Sequence, residues 1–265
     1  MKKFLNIFVI SFALVFSTST FANKIGVIYD SGGKFDKSFN ELAYNTAVRV
    51  QDELGWDMIE FEAANNTQIE QGMRKVADRG ATLVVAMGFA QADAVAAIAP
   101  QYPDVNFVAV DVCWVDDPAG NIYQACYKEH EGSFEVGYIA AKLSKTGKVA
   151  FMGGMDVPII RKFQTGWEEG ATYANPDVEF CTGYAGSWGD PAKGKEIGLS
   201  CFEDGADVIF AAGGATGDGA YEAAAETGNY AIGVDSNQDY IQPGTMITSM
   251  TVSYTHLTLP TSDLV

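Results

Sequence analysis

Histidine is scarce in this 265-residue chain, which carries only His130 and His256. That scarcity bears first on catalysis. A Ser-His-Asp arrangement would have a single base outside the C-terminal stretch, and His130 sits in the run KEHEGSF at the start of an expected helix, where a structural or hinge role fits better. Zinc is disfavoured as well, because the four cysteines form no Cys-x-x-Cys pair. Positive charge is also short: 17 Lys and Arg face 34 Asp and Glu, and a net charge of −17 repels nucleic acid and anionic lipid at range. Beyond the first two dozen residues no apolar run approaches the roughly 20 residues that a membrane-spanning helix needs. Nucleotide-handling motifs are incomplete. Residues 189–196, GDPAKGKE, match GxxxxGK but end on Glu where a phosphate loop places Ser or Thr. The loop after Phe210 lacks the third glycine of a dinucleotide fingerprint, and Gly186-Ser187-Trp188-Gly189 is one residue short of a nucleophile elbow. These gaps favour a binding protein without a cofactor over an enzyme; a periplasmic hydrolase is the weaker alternative.

The N-terminus is the one strongly apolar stretch. Lys2 and Lys3 precede an apolar run over residues 4–16, followed by small and polar residues up to Ala22, the pattern of a secretory signal peptide over 1–22. The mature chain is expected to begin near Asn23 as a free periplasmic protein, with no nearby cysteine to take a lipid anchor. In that oxidising compartment Cys113, Cys126, Cys181 and Cys201 are candidates for disulfides; of three possible pairings, spacing suggests 113/126 and 181/201.

Apolar, β-branched runs alternate with helix-length amphipathic segments from residue 25 to residue 234. Strands are expected at 25–29, 58–61, 83–87, 107–110, 149–152, 178–182, 208–211 and 231–234. Capping boxes Ser38-x-x-Glu41 and Thr67-x-x-Glu70 mark two helix starts. The alternation predicts an α/β protein with parallel sheets, divided into two Rossmann-like lobes over 23–127 and 128–250 and joined by a hinge. Residues 251–265 break the pattern; VSYTHLTLPT reads as a translated sequencing adapter, so this tail is expected to be non-native.

Three expected strands finish on a carboxylate: Asp30, Asp111 and Asp235. Ligands of open parallel sheets lie outside the carboxyl ends of the strands. Three such side chains favour a shared crevice over three separate helix caps, and carboxylates accept hydrogen bonds from the vicinal hydroxyls of a ribose or other polyol. Glycine-rich turns follow two of these strands. DSGGKFDKSFNE holds Phe35 in the turn and Phe39 on an expected core face; FAAGGATGDG places Phe210 beside Gly213, Gly214 and Gly217. Aromatics from opposite lobes could sandwich a flat base.

The stretches DSGGKFDKSFNELAYN, FVAVD, KEHEGSFEVGYIAAKL, GSWGDPAKGKEIGLS, DVIFAAGGATGDGAYEAA and GVDSNQDYIQPGTMITSM resemble the basic membrane protein family of ABC-transporter substrate-binding proteins, which includes purine-nucleoside receptors. The resemblance covers residues 25–250. It implies a type I periplasmic-binding-protein fold, a monomer that docks on an inner-membrane ABC permease, and a nucleoside between the lobes. It further implies stacking on the base by Phe35 and Phe210, hydrogen bonds to the base from Asn45 and Asp111, ribose contacts from Asp235 and the Gly213 to Gly217 turn, and Asp30 close by. Two departures stand out. The AGGATG turn is one residue longer than the family's usual AGGTG, and Val252 stands where members carry a ribose-contacting lysine before the last elements of the first lobe. A receptor for another polyol or heterocycle is the alternative within the binding class.

Overall fold

The computed structural model describes residues 23–252. The expected signal peptide, His256 and all but the first two residues of the expected tail lie outside the described residues. Strand and helix alternate from the start: β1 (Lys24–Tyr29), α1 (Phe39–Leu54), β2 (Asp57–Glu62), α2 (Ile69–Asp78), β3 (Leu83–Ala86), α3 (Ala92–Ile98), β4 (Asn106–Val110) and β5 (Ile122–Ala125). These strands form one sheet in the order β2-β1-β3-β4-β5, parallel throughout. The chain then crosses, through residues 126–128, into α4 (Glu129–Leu143), β6 (Lys148–Gly153), α5 (Pro158–Ala174), β7 (Glu179–Tyr184), α6 (Pro191–Glu203), β8 (Val208–Ala212), α7 (Thr216–Thr227), β9 (Tyr230–Asp235) and β10 (Met246–Thr251). The second sheet is also parallel, ordered β10-β9-β8-β6-β7. Counted from its own first strand, it repeats the order of the first sheet. This is the two-lobed parallel α/β architecture expected from the alternation, in the type I periplasmic-binding arrangement that the resemblance implies.

The apolar runs behave as strands buried on both faces must. All five residues of β8 are buried, as are five of the six in β1. Helices α2 and α3 seal one face of the first sheet around Met73, Val84 and Phe107, while α1 lies on the other over Val27 and Tyr29. In the second lobe Trp167 of α5 is fully buried and packs on Phe210 with ring centroids 5.4 Å apart.

Two strands were not foreseen, β5 and β10. Both are sheet edges, and their sequences IYQA and MITSMT have too few consecutive apolar residues to signal burial. The capping boxes are corrected too. Ser38 makes no side-chain cap to α1; the carboxylate of Asp36 does so instead, accepting from the amides of Ser38, Asn40 and Glu41 at 2.9, 3.0 and 3.1 Å. The Asp36 side chain, one atom longer and with two acceptor oxygens, reaches all three donors at once from two residues upstream, which the single Ser38 hydroxyl cannot. At α2, the Thr67 hydroxyl turns back to Asn65 and the helix starts at Ile69 without a side-chain cap.

The sulfurs of Cys113 and Cys126 are paired, with Cα atoms 6.0 Å apart, as are those of Cys181 and Cys201 at 5.6 Å. The first pair ties the loop after β4 to the residue after β5; the second ties β7 to α6.

Candidate functional site

The carboxyl ends of the two sheets face each other across a cleft enclosing about 560 Å³ of empty space, its mouth included. Four aspartates line it: Asp30 and Asp111 follow β1 and β4, Asp36 caps α1, and Asp235 ends β9. Asp111 and Asp235 occupy equivalent places, each at the end of the fourth strand of its sheet. Both turn into the left-handed region, with φ of 62° and 67°, and among the described residues Lys37 is the only other non-glycine there. That conformation is uncommon for a side chain with a Cβ, and aspartate is one of the few that tolerate it. The turn ends the strand while keeping it paired: the Asp111 amide donates to the Ala125 carbonyl at 2.8 Å, and the Asp235 carbonyl accepts from the Val252 amide at 3.0 Å.

The four carboxylates differ in how they are held. Asp30 accepts from the Gly32 amide and the Asn40 side chain, both at 2.8 Å. Asp235 accepts from the Ser38 hydroxyl of the opposite lobe. Asp111 has no side-chain hydrogen bond among the described residues, so its oxygens are available to a ligand. Burial pushes Asp36 up to about 7 against its three amide bonds, and pushes Asp235 up to about 6 against the Ser38 hydroxyl. Burial, together with the charges of Asp235 and Glu129, takes Asp111 to about 8 although Lys162 pulls the other way. Burial raises Asp30 as well.

Aromatic walls face these carboxylates: Phe39 and Phe89 from the first lobe, Phe163 and Trp188 from the second. Trp188 lies flat over Gly154, where any Cβ would collide with the indole, so glycine there is what lets the ring rest against the end of β6. Gly213 and Gly214 add close backbone from the turn after β8; Gly214 has φ of 57°.

Of the residues singled out from sequence, Asp30, Asp111, Asp235, Gly213 and Gly214 line the cleft; Phe35, Asn45, Phe210 and Gly217 do not. Phe35 is 66% exposed and packs edge-on against Tyr44, centroids 5.4 Å apart, with the Lys34 ammonium 4.9 Å from its ring. Asn45 is exposed, its position on α1 facing solvent. Phe210 is wholly buried among Phe151, Phe163 and Trp167, because it sits in the middle of β8 and not at its carboxyl end. Gly217 is buried in the first turn of α7, beside Tyr221. Among the described residues no three His, Cys, Asp or Glu side chains are grouped so as to hold a metal ion.

The family model described as ABC transporter substrate-binding protein, PnrA-like (Bmp), matches residues 22–258. The chain belongs to the Bmp family. Basic membrane protein A of Borreliella burgdorferi is 38% identical over 232 residues, 86% of this chain and 68% of that one. A Lactococcus lactis protein named ABC transporter nucleoside-binding protein BmpA is 30% identical over 230 residues, 82% of this chain and 65% of its own length. A solved ABC transporter solute-binding protein from Aeropyrum pernix K1 superposes with a TM-score of 0.81 at 28% identity, covering 86% of this chain and 66% of the other. The chain thus spans about two thirds of the length of these Bmp-family and solute-binding relatives.

In this Bmp-family chain the missed cleft residues are Asp36, Phe39, Phe89, Phe163 and Trp188. Trp188 and Phe89 had a usable signal, since each follows a strand in the loop at its carboxyl end. Phe163 had none: it projects from the second turn of α5, a segment that reads as an ordinary amphipathic helix.

The lobes also touch directly. Besides the Ser38 to Asp235 bond, the Lys37 ammonium pairs with Asp218 at 2.6 Å, and the Lys37 carbonyl accepts from Gln238 at 2.9 Å and from the Ser236 hydroxyl at 3.2 Å.

Proposed function

We propose that this substrate-binding protein serves an ABC importer from the periplasm, as a monomer that presents a purine nucleoside to an inner-membrane permease. The observation that carries this reading is one cleft joining unpaired or partly paired carboxylates to aromatic walls. Carboxylates accept hydrogen bonds from neutral hydroxyl and N–H donors, which suits the ribose hydroxyls beside Asp235 and the turn at Gly213 and Gly214, and a base N–H at Asp111. Phe39, Phe89, Phe163 and Trp188 supply flat apolar surface for a purine, worth about 1–3 kcal/mol per stacked ring. The lactococcal relative named for nucleoside binding points the same way. Among the described residues no lysine or arginine lines this cleft, which disfavours nucleotides with their phosphate charge.

Intrinsic fluorescence tests this directly, because Trp188 is part of the cleft wall. Titration with inosine, guanosine, adenosine, cytidine, ribose, spermidine and a mixture of amino acids should give a saturable response to purine nucleosides alone. A response to ribose or to spermidine without one to nucleosides would replace this reading with a polyol or cation receptor, and hydrolysis of a nucleoside would make the protein an enzyme.

A further inference from the structure

A second cavity opens on the far side of Asp111. It encloses about 580 Å³ of empty space, its mouth included, and is adjacent to the carboxylate cleft, with Phe89, Asp111 and Ile159 lining both. Its outer wall is the Cys113–Cys126 disulfide with Trp114; its inner wall is the start of α5 at Pro158. Trp114 is 63% exposed, yet its backbone is fixed on both sides. The preceding residue is held by the disulfide. The following residue, Val115, exchanges two hydrogen bonds with the side chain of Gln124, each 2.8 Å long. An indole left bare on a doubly anchored loop at a cavity mouth is a ready stacking surface, since little ordering is lost when a flat group settles on it.

Charge narrows what can occupy the space. Glu129 is 3% exposed and pairs with Lys162 at 3.4 Å, so with Asp111 the cavity carries two carboxylates to one ammonium. The lining ammonium is already paired with Glu129, so a phosphate or carboxylate finds no free cation there, whereas an uncharged ring would be accepted by Trp114, Pro158, Ile159 and the disulfide sulfurs.

We propose that this second cavity is a subsite for a planar, uncharged ring carried by the ligand, so that the ligands include nucleosides whose base bears an aryl substituent on its exocyclic nitrogen. The proposal rests on the nucleoside reading of the cleft. An N6-substituted adenosine keeps one N–H to donate to Asp111 while its substituent continues past that residue toward Trp114.

The test is calorimetric titration of the whole chain with adenosine and with N6-benzyladenosine, in wild type and in Trp114→Ala. The wild type should bind the benzyl derivative about tenfold more tightly, as stacking of one ring on an indole allows, and Trp114→Ala should bring the two affinities to within about twofold. A derivative that binds no better than adenosine, or a preference that survives Trp114→Ala, overturns the proposal. A second arm uses benzimidazole alone, followed by saturation-transfer NMR. Transfer that falls severalfold in Trp114→Ala supports the subsite even if adenosine fails to bind, an outcome that would overturn the nucleoside reading and not the ring subsite. Equal transfer in the two proteins overturns the subsite.

Discussion

Ser38, at the start of α1 in the first lobe, donates its hydroxyl hydrogen to Asp235 at the end of β9 in the second. The bond fastens the two lobes directly across the cleft, and the neighbouring Lys37–Asp218 pair at 2.6 Å reinforces it at a more exposed position. Replacing Ser38 by Ala leaves the Asp235 carboxylate without its cross-lobe donor, at a cost of about 1–3 kcal/mol to the closed form. The expected result is a shift toward an open, ligand-free molecule, read as a larger radius of gyration by small-angle scattering and as faster ligand association in stopped flow. An unchanged scattering profile would show that Ser38 contributes nothing to closure.

Acidity should act in opposite directions on fold and on binding. The cleft aspartates are raised by burial, Asp235 to about 6, Asp36 to about 7 and Asp111 to about 8. A carboxyl group with a raised folded-state value favours the native state while protonated, so its contribution is full below its unfolded value and is lost as pH climbs through the folded one. Ligand-free protein should therefore lose thermal stability as pH rises from about 4, the ordinary carboxylate value, to about 8. A ligand that donates to these oxygens favours their ionised form, so its affinity should rise over the same interval and its binding should release protons. Calorimetry in two buffers of different ionisation enthalpy checks the release; proton uptake would contradict it.

Trp188 and Phe210 should separate cleanly by mutation. Trp188→Ala removes a cleft wall and should weaken nucleoside binding by about 1–3 kcal/mol, about five- to 150-fold, with a modest change in melting temperature. Phe210→Ala empties the middle of the second-lobe core and should destabilise the fold by about 3–5 kcal/mol. Affinity and melting temperature measured on both variants check the contrast.

Reduction of the disulfides should lower the melting temperature, since each cross-link over a loop of this size stabilises by about 3 kcal/mol in the chain-entropy account. The separate variants Cys113→Ser/Cys126→Ser and Cys181→Ser/Cys201→Ser apportion the effect. Only the first should also free the Trp114 loop, seen as greater quenching of tryptophan fluorescence by acrylamide.

The sequence made eight of the ten strands among the described residues, and the two-lobed parallel architecture, legible, because continuous apolar runs such as VIFAA have few alternatives once they alternate with helices. The aspartates it singled out lie at strand ends and line the cleft, where chain direction alone decides that side chains meet the opposite lobe. It failed where direction within an element matters. Phe210 and Trp188 are both aromatics near strand ends, but two residues of extended chain separate Phe210 from the rim and place it in the core. Phe39, expected on a core face, does pack against the first-lobe core, and because it opens α1 it also lines the cleft, which its apolar setting does not announce. Asp36 was hidden because an aspartate two residues before a serine gives no sign of which one caps the helix.

The matched turns at Asp111 and Asp235 have a consequence for how such receptors diversify. Each lobe brings its own acceptor at the end of its fourth strand and its own aromatic surfaces from other elements to the cleft. Changes in one half that spare the Ser38–Asp235 and Lys37–Asp218 contacts leave the other in place, so specificity can be rewritten one side of the ligand at a time, and chimeras that exchange whole lobes and keep those contacts should inherit recognition by halves.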